Sequence, residues 1–175
     1  MKKIALIGTH GTGKTTITHE LMAESKKVGI NAGFLEEVVR SCPLPINEEQ
    51  TIEASEWIIY MQYTRELEQT ERYDLLLTDR SVVDGYVYAC SKFGKIPDLE
   101  AFVKEKAKTY EFLIRVPINQ KFLINDGLRS INPSFQKNID ASFDVMLQEL
   151  ELTNVITYEN NKQVMELIKG LYNIK

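Results

Sequence analysis

Gly8-Thr9-His10-Gly11-Thr12-Gly13-Lys14-Thr15-Thr16, near the start of the chain, has the residue types and spacing of a phosphate-binding loop. Each part has its own job in that chemistry. Glycines at 8, 11 and 13 allow backbone turns and close approaches that a side chain would block. The amides after Gly8 can turn inward as an anion nest, and a helix starting there aims its positive end at the same place. Lys14 supplies a mobile cation for the outer phosphates of a nucleotide. Thr15 can offer its hydroxyl to a magnesium ion. Gly8, His10, Gly11, Thr12, Gly13, Lys14, Thr15 and Thr16 are therefore the candidate nucleotide-binding residues, and for His10 the backbone matters more than the ring.

A second group lies at Asp79-Arg80-Ser81. Asp79 can bind magnesium, directly or through water, or act on an acceptor hydroxyl. Arg80 can hold an acceptor or a transferred phosphoryl group. The plainer alternative is a helix N-terminus capped by Asp79 or Ser81. Glu36 and Glu37 compete for the place of a catalytic base. Strand alternation puts them on opposite sides, and the residues alone do not say which side is functional. Arg115, inside an apolar run, either faces phosphates or pairs with an acid.

These groups need a frame to bring them together. Ile4-Ala5-Leu6-Ile7 is all apolar, as in a strand covered on both faces. Lys14 to about Lys27 reads as helix, with Ile17, Leu21 and Met22 on its buried side. Further strands are expected around Ala32–Leu35, Tyr73–Thr78, Tyr110–Val116 and Asn154–Tyr158. Asn47 looks like a cap for a long helix from Glu48 to about Arg72, apolar almost all round and so buried on more than one side. Helices are also expected over Val82–Lys92, Asp98–Lys108, Ser134–Leu152 and Asn161–Tyr172, and Asp126-Gly127 marks a turn. Alternating strands and helices make an α/β fold with a parallel sheet between helical layers. Right-handed crossovers gather all strand C-termini at one edge, where ligands bind. The loop, the glutamates, Asp79-Arg80 and Arg115 would all meet there.

Bulk properties bound the rest. The 175 residues suit one domain over 1–175, and a net charge of −4 disfavours a general nucleic-acid binder. With 43% hydrophobic and 26% charged residues the composition is that of a soluble protein. Cys42 and Cys90 show no metal-ligand spacing and read as free thiols. No apolar run reaches membrane-spanning length, and the first strand starts too early for a signal peptide before it. The expected location is cytoplasmic.

Asp79-Arg80-Ser81 and the helix after it resemble the corresponding segment of deoxynucleoside kinases and thymidylate kinases. A closer resemblance is to the ribosylnicotinamide kinase domain of the bifunctional NAD-biosynthesis regulator and the NadR-like AAA ATPases grouped with it. The matching residues, in order, are Gly8 to Thr16, Glu37-Val38-Val39-Arg40, Asp79-Arg80-Ser81, and Asp126-Gly127-Leu128-Arg129 with Ile139-Asp140 downstream. The resemblance implies a P-loop NTPase fold, a three-layer α/β/α arrangement with a five-stranded parallel sheet of order 2-3-1-4-5. It also implies a helical lid near residues 125–140, in which Arg129 bridges donor phosphates and Lys137 stands where a second arginine is common. It favours Glu37 as the base and suggests an acceptor wall on the helix carrying Trp57, Tyr60, Met61, Gln62 and Tyr63. It places Asn160-Asn161 near a donor base.

The function expected is phosphoryl transfer from ATP, with Mg²⁺ at Thr15 and Asp79, to a nucleoside, nucleotide or related small molecule. Lys14, Glu37, Asp79, Arg80 and Arg129 are the candidate catalytic residues. Neither a nucleic-acid polymer nor a membrane is expected as partner, and a second copy of the chain is a candidate one. The alternative is a nucleotide-dependent switch without a small-molecule acceptor. A GTPase is disfavoured, because no Asp-x-x-Gly follows the third strand and no Asn-Lys-x-Asp lies near the fifth.

Overall fold

In the computed structural model, which describes residues 1–122 and 132–174, the chain alternates strand and helix around one sheet. The elements are β1 (Lys2–Ile7), α1 (Lys14–Lys27), β2 (Ala32–Leu35), α2 (Ile52–Glu68), β3 (Leu75–Asp79), α3 (Val82–Phe93), α4 (Pro97–Ala107), β4 (Phe112–Arg115), α5 (Pro133–Glu149), β5 (Val155–Thr157) and α6 (Asn161–Leu171). All five strands are parallel, in the order β2-β3-β1-β4-β5, which is the order the resemblance implies. Arg129, the Asp126-Gly127 turn and residues 125–131 of the expected lid lie outside the described residues. The remainder of that lid, up to 140, is the start of α5.

The two-residue period of β1 sorts the core into two layers. Ala5 and Ile7 point to one face, where Ile59, Val83, Tyr86, Val103 and Phe143 pack from α2, α3, α4 and α5. Ile4 and Leu6 point to the other, against Ile17 and Leu21 of α1 and Val164 and Ile168 of α6. Ile4 to Ile7 are wholly buried, as the continuous apolar run of a central parallel strand requires. Register then fixes the functional edge. Leu6 pairs with Asp79 on one side, and Ile7 with Arg115 on the other. The loop leaving β1 is thus flanked by the ends of β3 and β4.

The start of α2 corrects the sequence expectation. Asn47 lies in a single 3-10 turn, Asn47–Glu49, with φ 58°. Gln50 follows in extended backbone, buried, with its amide on the Ser55 hydroxyl at 2.7 Å. The helix starts beyond it, where the Thr51 hydroxyl accepts the Ala54 N–H at 3.2 Å. Two cap signatures compete within five residues, and burial of Gln50 selects the second. Nor is α2 buried all round: Ile58 and Ile59 face the core while Ile52, Tyr60 and Leu67 are exposed.

Thr51→Ala is expected to cost about 1 kcal/mol of unfolding free energy in urea. A loss below about 0.3 kcal/mol would show that this cap does not hold the helix end.

Candidate functional site

Gly13, at φ 91°, closes the loop and leads into α1, a conformation that disfavours any side chain. A Cβ there would also meet the Phe122 ring at 2.8 Å. Lys14 is folded back into the loop, its ammonium on the carbonyls of Gly8 at 2.9 Å and Thr9 at 2.6 Å. Burial, and then the neighbouring Arg80 charge, push the Lys14 pKa down to about 7 against the pull of Asp79, Asp84 and Glu37. Two amides of the loop are committed elsewhere. Gly8 N–H goes to the Asp84 carboxylate at 3.0 Å and His10 N–H to the Tyr88 hydroxyl at 3.1 Å. The inward-facing nest therefore begins after His10. Thr16 is exposed on the first turn of α1.

Arg80 stands at the end of β3 with φ 83°, a backbone state uncommon for a side-chain-bearing residue. Its N–H bonds the Leu6 carbonyl at 3.0 Å. Its guanidinium donates to Glu37, sits 3.7 Å from Asp84, and lies over the Tyr88 ring at 5.2 Å. Burial works against this charge, but Glu37, Tyr88, Asp84 and Asp79 together hold Arg80 protonated well above the usual arginine range. Glu37 is buried and Glu36 exposed, so the structure turns Glu37 to the site. Arg40 adds a second pair to Glu37 at 3.2 Å.

The Asp79-Arg80-Ser81 stretch divides by role. Ser81 is a helix cap, forming a capping box with Asp84 at the start of α3. Asp79 faces the loop instead and accepts the Thr15 hydroxyl. These two oxygen groups suit magnesium, which takes carboxylate or hydroxyl ligands together with substrate phosphates and water. Among the described residues no group of three or more His, Cys, Asp or Glu side chains forms a metal cage. An ion held here would thus share its coordination with a nucleotide.

Two cavities adjoin at Arg80. The smaller is lined by Gly11 to Thr15 with Asp79. The larger, open to solvent, runs under Val38, Ile46, Asn47, Gln50, Ile58 and Gln62. His10, Glu37 and Arg80 line both. Of the acceptor wall expected on α2, only Gln62 reaches the larger cavity; Tyr60 and Tyr63 pack edge-on against Phe102. The Gln62 amide donates to Glu66 at 2.9 Å and to the Arg80 carbonyl at 3.4 Å, which props the strained residue. Arg115 resolves toward an acid: it bonds Asp140 on α5 at 2.5 Å and stacks on Phe143. Lys137 is exposed on the first turns of α5. Asn160 caps α6, and Asn161 bonds Glu20 of α1 at 2.7 Å. Among the described residues no helix is long and apolar enough to cross a membrane.

Asp84, Tyr88 and Gln136 complete the site without having been singled out from sequence. Asp84 was within reach, since Ser81-x-x-Asp84 is a capping-box spacing. Tyr88 and Gln136 come from α3 and α5, and no local spacing ties them to the loop. Burial, first, raises the Asp84 carboxyl above its ordinary range, while Arg80, Lys14 and the Gly8 and Ser81 amides pull it back.

Residues 3–162 match a protein family described as an AAA domain. Solved structures with the same fold include NadR in complex with NR, at 22% identity and TM-score 0.73 over 99% of this chain. This chain spans about half, 52%, of that NadR chain. Deoxyadenosine kinase from M. mycoides with bound dATP shares 17% identity at TM-score 0.66, over 99% of this chain and 100% of its own. Thymidylate kinase from Candida albicans shares 13% identity at TM-score 0.66, over 98% and 92% respectively. No curated protein sequence matches the chain. The shared architecture is that of P-loop kinases.

Lys14 gives the site a pH signature. Unfolded, it keeps its proton up to about 10.5; folded and without an anion it loses it near 7. The unfolded state therefore binds more protons across that window, and this group makes stability rise with pH there. Phosphates beside Lys14 restore its proton. ATP binding at about pH 8 should take up a proton, and affinity should fall as pH rises. Calorimetry in two buffers of different ionisation enthalpy checks this, and Lys14→Met should abolish the uptake. Equal apparent enthalpies for the parent protein in both buffers would contradict it.

Proposed function

The chain belongs to the AAA domain family, and on that premise we propose that it transfers the terminal phosphoryl group of ATP to a small-molecule acceptor. The acceptor is a nucleoside, a nucleotide or a related ligand. The observation that carries this reading is the second cavity. A molecule that only bound or hydrolysed a nucleotide would need the small cavity over the loop. Here a second, larger pocket opens beside it, and the wall they share is Arg80, Glu37 and His10.

The division of labour follows from charge and position. The loop amides and Lys14 hold the outer phosphates of ATP. Lys14 and Arg80 neutralise the charge that spreads over the migrating phosphoryl group, where preorganised donors contribute most. Glu37 stands on the acceptor side and takes the proton of the attacking hydroxyl as its oxygen bonds to phosphorus and ADP departs. Thr15 and Asp79 are the residues placed to hold Mg²⁺, which, when bound, screens the donor phosphates. Arg129 remains the candidate for closing over the donor from the segment before α5. Water excluded from such a site no longer competes as acceptor.

The test is a screen of nucleosides and nucleoside monophosphates with Mg-ATP, scored as ATP consumed relative to water alone. At least one acceptor class should raise consumption more than about tenfold, and Glu37→Gln should remove about tenfold or more of that gain. ATP consumption indifferent to every acceptor, with a nucleotide-dependent protein partner instead, would replace the transferase with a switch.

A further inference from the structure

We infer that Gln136 is a positioning residue for the donor phosphates, fixing the orientation of the two peptide units that shape the anion nest. This rests on the nucleotide reading of the loop and deepens it. In a planar trans peptide the carbonyl and the following N–H point in opposite directions. A loop carbonyl turned outward therefore turns the next amide inward.

The loop divides at His10. Lys14 draws the Gly8 and Thr9 carbonyls inward, and the His10 amide accordingly turns out to Tyr88. Gln136 holds the next two, its side-chain amide reaching the His10 carbonyl at 2.7 Å and the Gly11 carbonyl at 3.4 Å. The Gly11 and Thr12 amides are thereby directed to the loop interior. Gly11, at φ 61°, has no side chain to enforce one peptide orientation over the other. The preference has to come from outside, and Gln136 supplies it.

Three further features separate this from incidental packing. Gln136 is wholly buried, yet its Oε1 has no hydrogen-bond partner among the described residues. Reversing the amide would set that oxygen against the His10 carbonyl, so both donors must face the loop. A buried orphan acceptor is unfavourable, and an apolar side chain would avoid it. The main chain of Gln136 is tied to the loop as well, because the Thr9 hydroxyl donates to its carbonyl at 3.1 Å. Finally, α5 is anchored independently by Arg115 on Asp140 and by Phe143 in the core, so the donor sits on a rigid element.

Gln136→Leu and Gln136→Met keep the bulk of the side chain and remove its donors. The experiment compares Mg-ATP affinity by calorimetry with the thermal midpoint of the nucleotide-free protein, for both variants and the parent. Affinity should fall about tenfold or more, while the nucleotide-free midpoint stays within a few degrees of the parent. In the variants the Gly11 and Thr12 amide resonances should also lose most of their ATP-induced shift. ATP affinity within about twofold of the parent in either folded variant, whatever its midpoint, overturns the inference. A parent protein that binds no ATP overturns the nucleotide reading and this inference together.

Discussion

The structure turns on the burial of one arginine. Arg80 is held at positive φ, and its guanidinium meets Glu37, Asp84 and the Tyr88 ring at once. A charge in that position is tolerable only if its partners are fixed, because losing one leaves the other charge buried and unpaired. The partners come from separate parts of the chain. Glu37 follows β2, Asp84 and Tyr88 belong to α3, and the loop carbonyl of Gly8 lies 3.4 Å away. The order β2-β3-β1-β4-β5 brings these parts together, since β3 lies between β2 and the strand that launches the phosphate loop.

The same economy appears in the loop. Its carbonyls are turned to Lys14 and Gln136, and its first amides to Asp84 and Tyr88. Helices α3 and α5 thus set the loop from outside, while α1 presents its N-terminal amides from below. Preorganisation of this kind lowers the cost of reorganising around a developing charge. Lys14, its ammonium pressed against carbonyls with its proton held only weakly, is poised to exchange those carbonyls for phosphate oxygens.

Much of this frame was legible in the residue order because it is local. The loop motif needs only its own spacing and a strand and helix on either side. The strand-end position of Asp79 and the cap at Ser81 follow from Leu75-Leu76-Leu77 and the capping-box spacing. What was not legible depends on packing between distant elements. Alternation could not say whether Glu36 or Glu37 faced the site, since that rests on where β2 lies relative to β3. Arg115 had two readings until Asp140 was brought beside it from α5. The Asn47 cap failed because burial of Gln50, a tertiary event, outweighed a sound local signal. Tyr88 and Gln136 act on the loop across helix packing, where no periodicity marks them. Arg129 rests on resemblance alone and lies outside the described residues.

In the proposed reaction Arg80 joins a donor site to an acceptor site and acts on the group passing between them. Arg80→Lys is the decisive variant, because lysine keeps the charge but loses the fork that spans Glu37 and Asp84 and that, in this proposal, also reaches the migrating phosphoryl group. ATP affinity and acceptor-dependent turnover are measured on the same preparation. Turnover should fall about a hundredfold or more with ATP affinity changed less than about threefold. Equal losses in both, or turnover close to that of the parent, would contradict it.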